Sequence, residues 1–115
     1  MDLASRPCTP HRDDMTPLTR RGVFDLISEV PEWSLKEGHL VRRFTLRNFR
    51  ECLEMADDIG KMADLEGHYP DICISESRYV DVSWYSYFCG GLTMNDFIMA
   101  ARLSLRVSSR AGGAL

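Results

Sequence analysis

The chain has 115 residues, enough for one hydrophobic core and too few for two. Hydrophobic residues make up 44% and charged residues 27%, the balance of a globular domain and not of a disordered or fibrous chain. A net charge of -3 with both signs mixed along the chain provides no positive field for phosphate backbones or anionic lipid, and no apolar run approaches the roughly 20 residues that span a bilayer, which argues against nucleic acid and membrane as partners.

Residues 1–16 hold Pro7, Pro10, three Asp and two Arg, with only Leu3 and Met15 as sizeable apolar groups beyond Met1. That composition predicts a flexible tail, and it lacks the uninterrupted apolar stretch of a secretory leader, which leads to the expectation of a cytoplasmic protein. From Pro17 to Val30, Leu18, Val23, Phe24, Leu26 and Ile27 fit one stripe of a first helix that ends before Pro31. Trp33 to Leu35 and His39 to Leu46 then flank Lys36-Glu37-Gly38, where the glycine suits a tight reversal, and predict a hairpin. Asn48 is a fitting N-cap for a second helix, whose Phe49, Cys52, Leu53, Ala56, Ile59, Gly60 and Ala63 recur at three- and four-residue intervals.

Gly67 to Asp71 must turn, and Ile72-Cys73-Ile74 begins a second hairpin that reverses over Ser75 to Arg78. Its longer strand alternates Val80, Val82 and Trp84 with Tyr79, Asp81, Ser83, Tyr85 and Tyr87. Gly90-Gly91 breaks that strand, and Thr93 with Asp96 forms a capping box opening a last helix, in which Phe97, Ile98, Ala100, Ala101 and Leu105 face inward. Residues 108–115, rich in Ser, Arg, Ala and Gly, predict a second flexible tail, leaving a domain over residues 17–107. Helix, two strands, helix, two strands, helix amounts to an α+β fold with a four-stranded antiparallel sheet and three helices on one face.

Cys8, Cys52, Cys73 and Cys89 form no C-x-x-C pair, and His11, His39 and His68 have no ligand-like spacing, so no metal site is expected. His11 and His39 receive no role. Tyr79, Tyr85 and Tyr87 share a strand face with Asp81, which is either a sheet face half covered by a neighbour or a partner-binding surface.

Trp33 before a hairpin, Arg43-Phe44-Thr45-Leu46 running into Asn48-Phe49, then Ala63-Asp64-Leu65-Glu66-Gly67-His68-Tyr69-Pro70 and Cys89-Gly90-Gly91-Leu92-Thr93 with Asp96 together resemble the pterin-4a-carbinolamine dehydratase family over residues 18–107. That resemblance implies the same α-β-β-α-β-β-α layout. It also implies a pocket built from an acidic residue, a His-His-Pro turn, a further histidine after the last strand, and an aspartate at the start of the last helix. The reaction expels a hydroxyl as water, with a proton given to that oxygen and another taken from a ring N–H, and imidazole performs both transfers near neutral pH.

Carried over, the acid falls at Asp64, the first histidine at His68, the second at Tyr69 with Pro70 behind it, the strand histidine at Tyr87 and the aspartate at Asp96. Two of the three histidines are tyrosines, whose reference pKa of ~10 makes them poor acids and unavailable bases at neutral pH. An aromatic six or seven residues after the proline would fall at Ser77, with Tyr79 the nearest ring. His68 either keeps a pocket role or bonds the backbone of its own turn. The expectation is therefore a non-enzymatic protein with no catalytic residue and no cofactor. Within the family the sequence is similar to the branch of α-carboxysome RuBisCO assembly factors, which implies the RuBisCO large subunit as partner and a carboxysome association; the unpaired edge strand of a four-stranded sheet separately predicts a homodimer. The alternatives are a dehydratase of weak activity working through His68, Asp64 and Asp96, and a dimerisation cofactor of a transcription factor.

Overall fold

Both hairpins turn on pairs of residues in the left-handed region. The structure, a computed structural model, describes residues 2–10, 12 and 15–109. In it β1 (Ser34–Lys36) and β2 (His39–Thr45) are joined by Glu37 and Gly38 at φ 52° and 81°. β3 (Asp71–Ser75) and β4 (Tyr79–Trp84) flank Glu76 and Ser77 at φ 53° and 61°. Consecutive positive φ values give a reversal whose twist matches that of the strands leaving it.

The sheet order is β1-β2-β4-β3 with every pair antiparallel. Its register sets Leu40 opposite Trp84 and Phe44 opposite Val80, and these four with Val82 point to one buried face. Against that face lie α2 (Phe49–Glu66) and α3 (Met94–Ser109), which bring Cys52, Met55, Ile59 and Met62, and Phe97, Met99 and Leu103. The short α1 (Arg20–Ile27) contributes Leu26, with Val30 and Trp33 following it into the core. Asn48 caps α2 by accepting from the Glu51 N–H, and Gly67 ends it at φ 66°.

Several details depart from the periodic pattern. α1 covers only part of the stretch from Pro17 to Val30, and its Phe24 faces solvent. Phe49 and Leu53 on α2 and Leu105 on α3 are also exposed, because the sheet covers a narrower arc of each helix than the apolar stripe spans. β4 stops at Trp84, since Ser86 bridges to Gly91 and residues 87–90 turn, so Tyr87 lies beyond the strand.

The N-terminal segment departs furthest from expectation. Leu3, in a single 3-10 turn (Leu3–Ser5), is 2% exposed and belongs to the core, and side chains of α2 and α3 bond the backbone from Ala4 to Thr9. Composition predicts a tail here because it counts apolar side chains, whereas this segment is held mostly through its peptide groups. Met1, His11, Asp13 and Asp14 lie outside the described residues. The expected C-terminal tail begins inside α3, and residues 110–115 lie outside the described residues.

Candidate functional site

The left-handed Gly67 ends α2 and sends His68 inward, where its ring lies parallel to the Trp84 indole with centroids 5.9 Å apart and planes at 10°. His68 Nε2 is 2.7 Å from Asp96 Oδ1. His68 is 3% exposed and Asp96 0%. Asp96 sits in the first turn of α3, and its other oxygen accepts from the Ser86 hydroxyl at 2.7 Å and from the Thr93 N–H at 2.9 Å. The Thr93 contact is the capping box read from the sequence, turned to a second use: the carboxylate that caps the helix also holds the imidazole. Ser86 and Thr93 further share a bond of 2.9 Å.

The remaining pocket positions lie outside this buried pair. Tyr69 is exposed and donates to Asp64 Oδ1 at 3.0 Å, while Tyr87, also exposed, donates to Asp71 Oδ2. In both cases the hydrogen bond to a carboxylate, reinforced by its charge, holds the phenol above its ordinary pKa. Both phenols are therefore poor acids and unavailable bases near neutral pH. Pro70 is half-buried and completes the turn into β3. The structure thus divides five of the six positions among a buried His68–Asp96 pair, an exposed Tyr69–Asp64 pair and an exposed Tyr87, whose partner Asp71 was not among the positions read from the sequence. The pairing of His68 with Asp96 was not legible in the sequence, which placed the two residues 28 positions apart.

The tyrosine face is the uncovered side of the sheet. Tyr79, Asp81, Ser83 and Tyr85 alternate with the buried Val80, Val82 and Trp84, so they point away from the helices. Asp81 accepts two bonds from Arg43 at 2.7 and 3.0 Å, and the Arg43 guanidinium also lies 4.3 Å from the Tyr79 ring centre. That pairing lowers the Asp81 carboxyl below its usual range, chiefly through the Arg43 hydrogen bonds. His39, given no role from the sequence, stacks on Tyr85 at 4.1 Å, stands 6.0 Å from Tyr87 and bonds Ser83. Tyr85 and Tyr87 meet edge to face at 4.9 Å. The register between β2 and β4, which puts Leu40 across from Trp84, brings His39 beside Tyr85, and no local signal in the sequence carries that pairing.

Among the described residues no group of three or more His, Cys, Asp or Glu could hold a metal ion. No helix is long and apolar enough to cross a membrane among those residues.

Residues 16–105 match the family model described as Pterin 4 alpha carbinolamine dehydratase. The chain is 40% identical over 104 residues to "Putative pterin-4-alpha-carbinolamine dehydratase 1" of Cupriavidus pinatubonensis, covering 89% of each chain. It is 38% identical over 105 residues to "Putative pterin-4-alpha-carbinolamine dehydratase" of Chlorobium luteolum, covering 88% of this chain and 91% of that one. Among solved structures it resembles one described as transcriptional coactivator/pterin dehydratase from Brucella melitensis, with a TM-score of 0.69 at 20% identity over 78% of this chain and 97% of the other.

Proposed function

Because the chain belongs to the pterin-4a-carbinolamine dehydratase family, we propose that it keeps the family's fold without the family's reaction and serves as a non-catalytic protein that docks another protein. One observation carries this reading: of the three histidine positions only His68 holds an imidazole, and that ring is buried against Asp96 and Trp84 while two carboxylate-bound phenols occupy the others. Dehydration needs a donor at the departing hydroxyl and a base at the ring N–H. Here phenols stand where the family has imidazoles, and a phenol held above its ordinary pKa is a poor donor and an unavailable base near neutral pH.

The docking surface we assign is the open sheet face at Tyr79, Asp81, Tyr85 and Tyr87, extended by His39. It offers aromatic edges with polar tips, the side chains that carry most binding energy at protein interfaces. Following the resemblance to the α-carboxysome assembly factors, the proposed partner is the RuBisCO large subunit, the proposed place the carboxysome, and the proposed state a homodimer formed along an unpaired sheet edge, β1 or β3. The resemblance supports the choice of partner, and the exposed aromatic face supports docking in general.

A second reading is a dehydratase of weak activity. It is favoured by the names of the Cupriavidus and Chlorobium relatives and by the presence of Asp64, His68 and Asp96 at matching positions. Purified protein supplied with a 4a-hydroxytetrahydropterin separates the two. We expect dehydration no faster than in buffer; saturable turnover abolished by His68→Ala would establish the second reading and end the first. For the partner, Tyr85→Ala and Tyr87→Ala are each checked for folding by circular dichroism and co-expressed with RuBisCO subunits. The proposal expects the unmodified chain to raise the yield of soluble assembled carboxylase and the folded variants to lose that effect. An unmodified chain without effect removes RuBisCO as the partner.

A further inference from the structure

β1 is an edge strand left open. It pairs only with β2, and Ser34, Leu35 and Lys36 are all exposed. Its hairpin closes over the two residues Glu37 and Gly38, at φ 52° and 81°, which makes Lys36 and His39 the hydrogen-bonded pair that flanks the turn. Antiparallel bonding alternates from residue to residue, so the N–H and C=O of Leu35 turn away from β2 toward the free edge. There they offer one donor and one acceptor to an extended chain.

The Leu35 side chain, 46% exposed, lines a cavity of about 270 Å3 between α1 and this hairpin, with Leu18, Val23 and Leu92 as its other apolar walls and Gly38 at the turn. The Leu18 N–H donates to the Leu92 carbonyl at 2.8 Å, which holds two of those walls together. That volume falls below the usual range of small-molecule sites and suits one apolar side chain. Arg20 stands on the rim, exposed and without a carboxylate partner among the described residues. The nearby acid is already taken, since Asp25 pairs with Arg21 at 3.1 Å.

We propose that the β1 edge and this cavity together dock an extended segment of a partner protein, in which an apolar residue has an aspartate or glutamate two positions away. The segment adds a strand to the sheet: its apolar residue sits opposite Leu35, exchanges both backbone bonds with it and places its side chain in the cavity. Residues two apart share a strand face, so a carboxylate at that spacing emerges on the side of Arg20 and not on the tyrosine side of the sheet. Charge complementarity selects this occupant over a second copy, whose β1 brings Leu35 flanked by Ser34 and Lys36 and no acid. Leu35 lies across from the buried Leu40, on the helix side of the sheet and away from the tyrosine face. The inference therefore goes beyond the proposed function and stands whether or not RuBisCO docks there, with β3 left as the edge for a second copy.

The probe is the peptide acetyl-Thr-Glu-Thr-Leu-Thr-Glu-Thr-amide, titrated to about 5 mM into the full-length isotope-labelled chain and followed by amide NMR, which reaches past a dissociation constant of about 1 mM. Saturable shifts are expected at Leu35, Gly38 and Val23. N-methylation of the peptide leucine, which removes the N–H offered to the Leu35 carbonyl, should weaken binding at least about fivefold. Replacing both glutamates by glutamine should weaken it about two- to fivefold in the unmodified chain and not at all in an Arg20→Gln chain. The same spectra report whether each variant folds, and sedimentation velocity of the unmodified and Leu35→Asp chains reads the rival occupant. No saturable shift at these amides, equal binding of the N-methyl peptide, or an equal glutamate effect in both chains would each overturn the proposal. So would a dimer that Leu35→Asp splits, which assigns the edge to a second copy.

Discussion

Replacing Asp96 tests whether the buried pair is a structural joint. Its side chain has no exposed surface and accepts from His68 Nε2 at 2.7 Å, Ser86 Oγ at 2.7 Å and Thr93 N–H at 2.9 Å. Asp96→Ala removes both acceptor oxygens together. Ser86 keeps the Thr93 hydroxyl, 2.9 Å away, so the donors that lose their acceptor are the imidazole N–H and the Thr93 N–H. Each buried donor left dry costs about 1–3 kcal/mol, so the two together set an expected loss of about 2–6 kcal/mol. Asp96→Asn keeps the volume and one oxygen. That oxygen stays with Ser86 and Thr93, the new NH2 faces His68, and the ring must move its proton off Nε2 to accept, for about 1–2 kcal/mol. Urea unfolding followed by tryptophan fluorescence measures both changes as midpoint shifts, and nitrogen NMR of the imidazole reads the tautomer. A loss under about 1 kcal/mol for Asp96→Ala, or an unchanged tautomer in Asp96→Asn, would refute the reasoning.

The same substitution at two glycines should change stability in opposite directions. A Cβ on Gly91 would stand 2.5 Å from Pro17 Cβ, where the Leu18 N–H bonds the Leu92 carbonyl, so Gly91→Ala should cost about 1–3 kcal/mol in urea unfolding. Gly60 lies inside α2 with nothing within 4 Å of a Cβ, and Gly60→Ala should add about 0.5–1 kcal/mol; a loss there would count against the packing described. Trp84 Nε1 is buried without a hydrogen-bond partner among the described residues, so Trp84→Phe, which removes that donor and keeps an aromatic ring, should stay within about 1 kcal/mol of the parent while Trp84→Ala loses about 3–5 kcal/mol. Glu66 is held below the usual carboxylate range, first by the Cys8 N–H and then, against the opposing effect of burial, by Arg102. The ionised form therefore favours the docked N-terminal segment, its contribution is complete at neutral pH, and it fades as pH falls through the lowered value. Exchange of the Cys8 amide, corrected for the intrinsic rate, should show more opening on that acid limb, and a flat profile would contradict the assignment.

What was legible in the sequence was local. The Glu37-Gly38 reversal, the Asn48 cap, the Gly67 turn and the Thr93/Asp96 box all act within a few residues, and each stands where its pattern put it. Alternation carried the reading of β4 too far, because nothing in Trp84-Tyr85-Ser86-Tyr87 announces that the Ser86 backbone bridges to Gly91. The site residues were legible as family positions but not as partners: Asp96 was read as a helix cap, and its hold on His68 depends on α2 and α3 meeting at their ends. The N-terminal segment was misread for a similar reason, since every group that fixes it belongs to a distant part of the chain.

That separation has a consequence for the order in which the molecule assembles. The partners of Cys8, Thr9, Arg6 and Ala4 lie 58, 86, 96 and 98 residues further along. On the ribosome the residues made first must therefore wait for those made last. The hairpins and α2 close over short loops and can form as they emerge, whereas Leu3 has no complete seat until α3 has cleared the exit tunnel. Through most of synthesis the peptide groups of residues 4–9 therefore lack the side chains of α3 that receive them, and the segment settles only as the last helix folds.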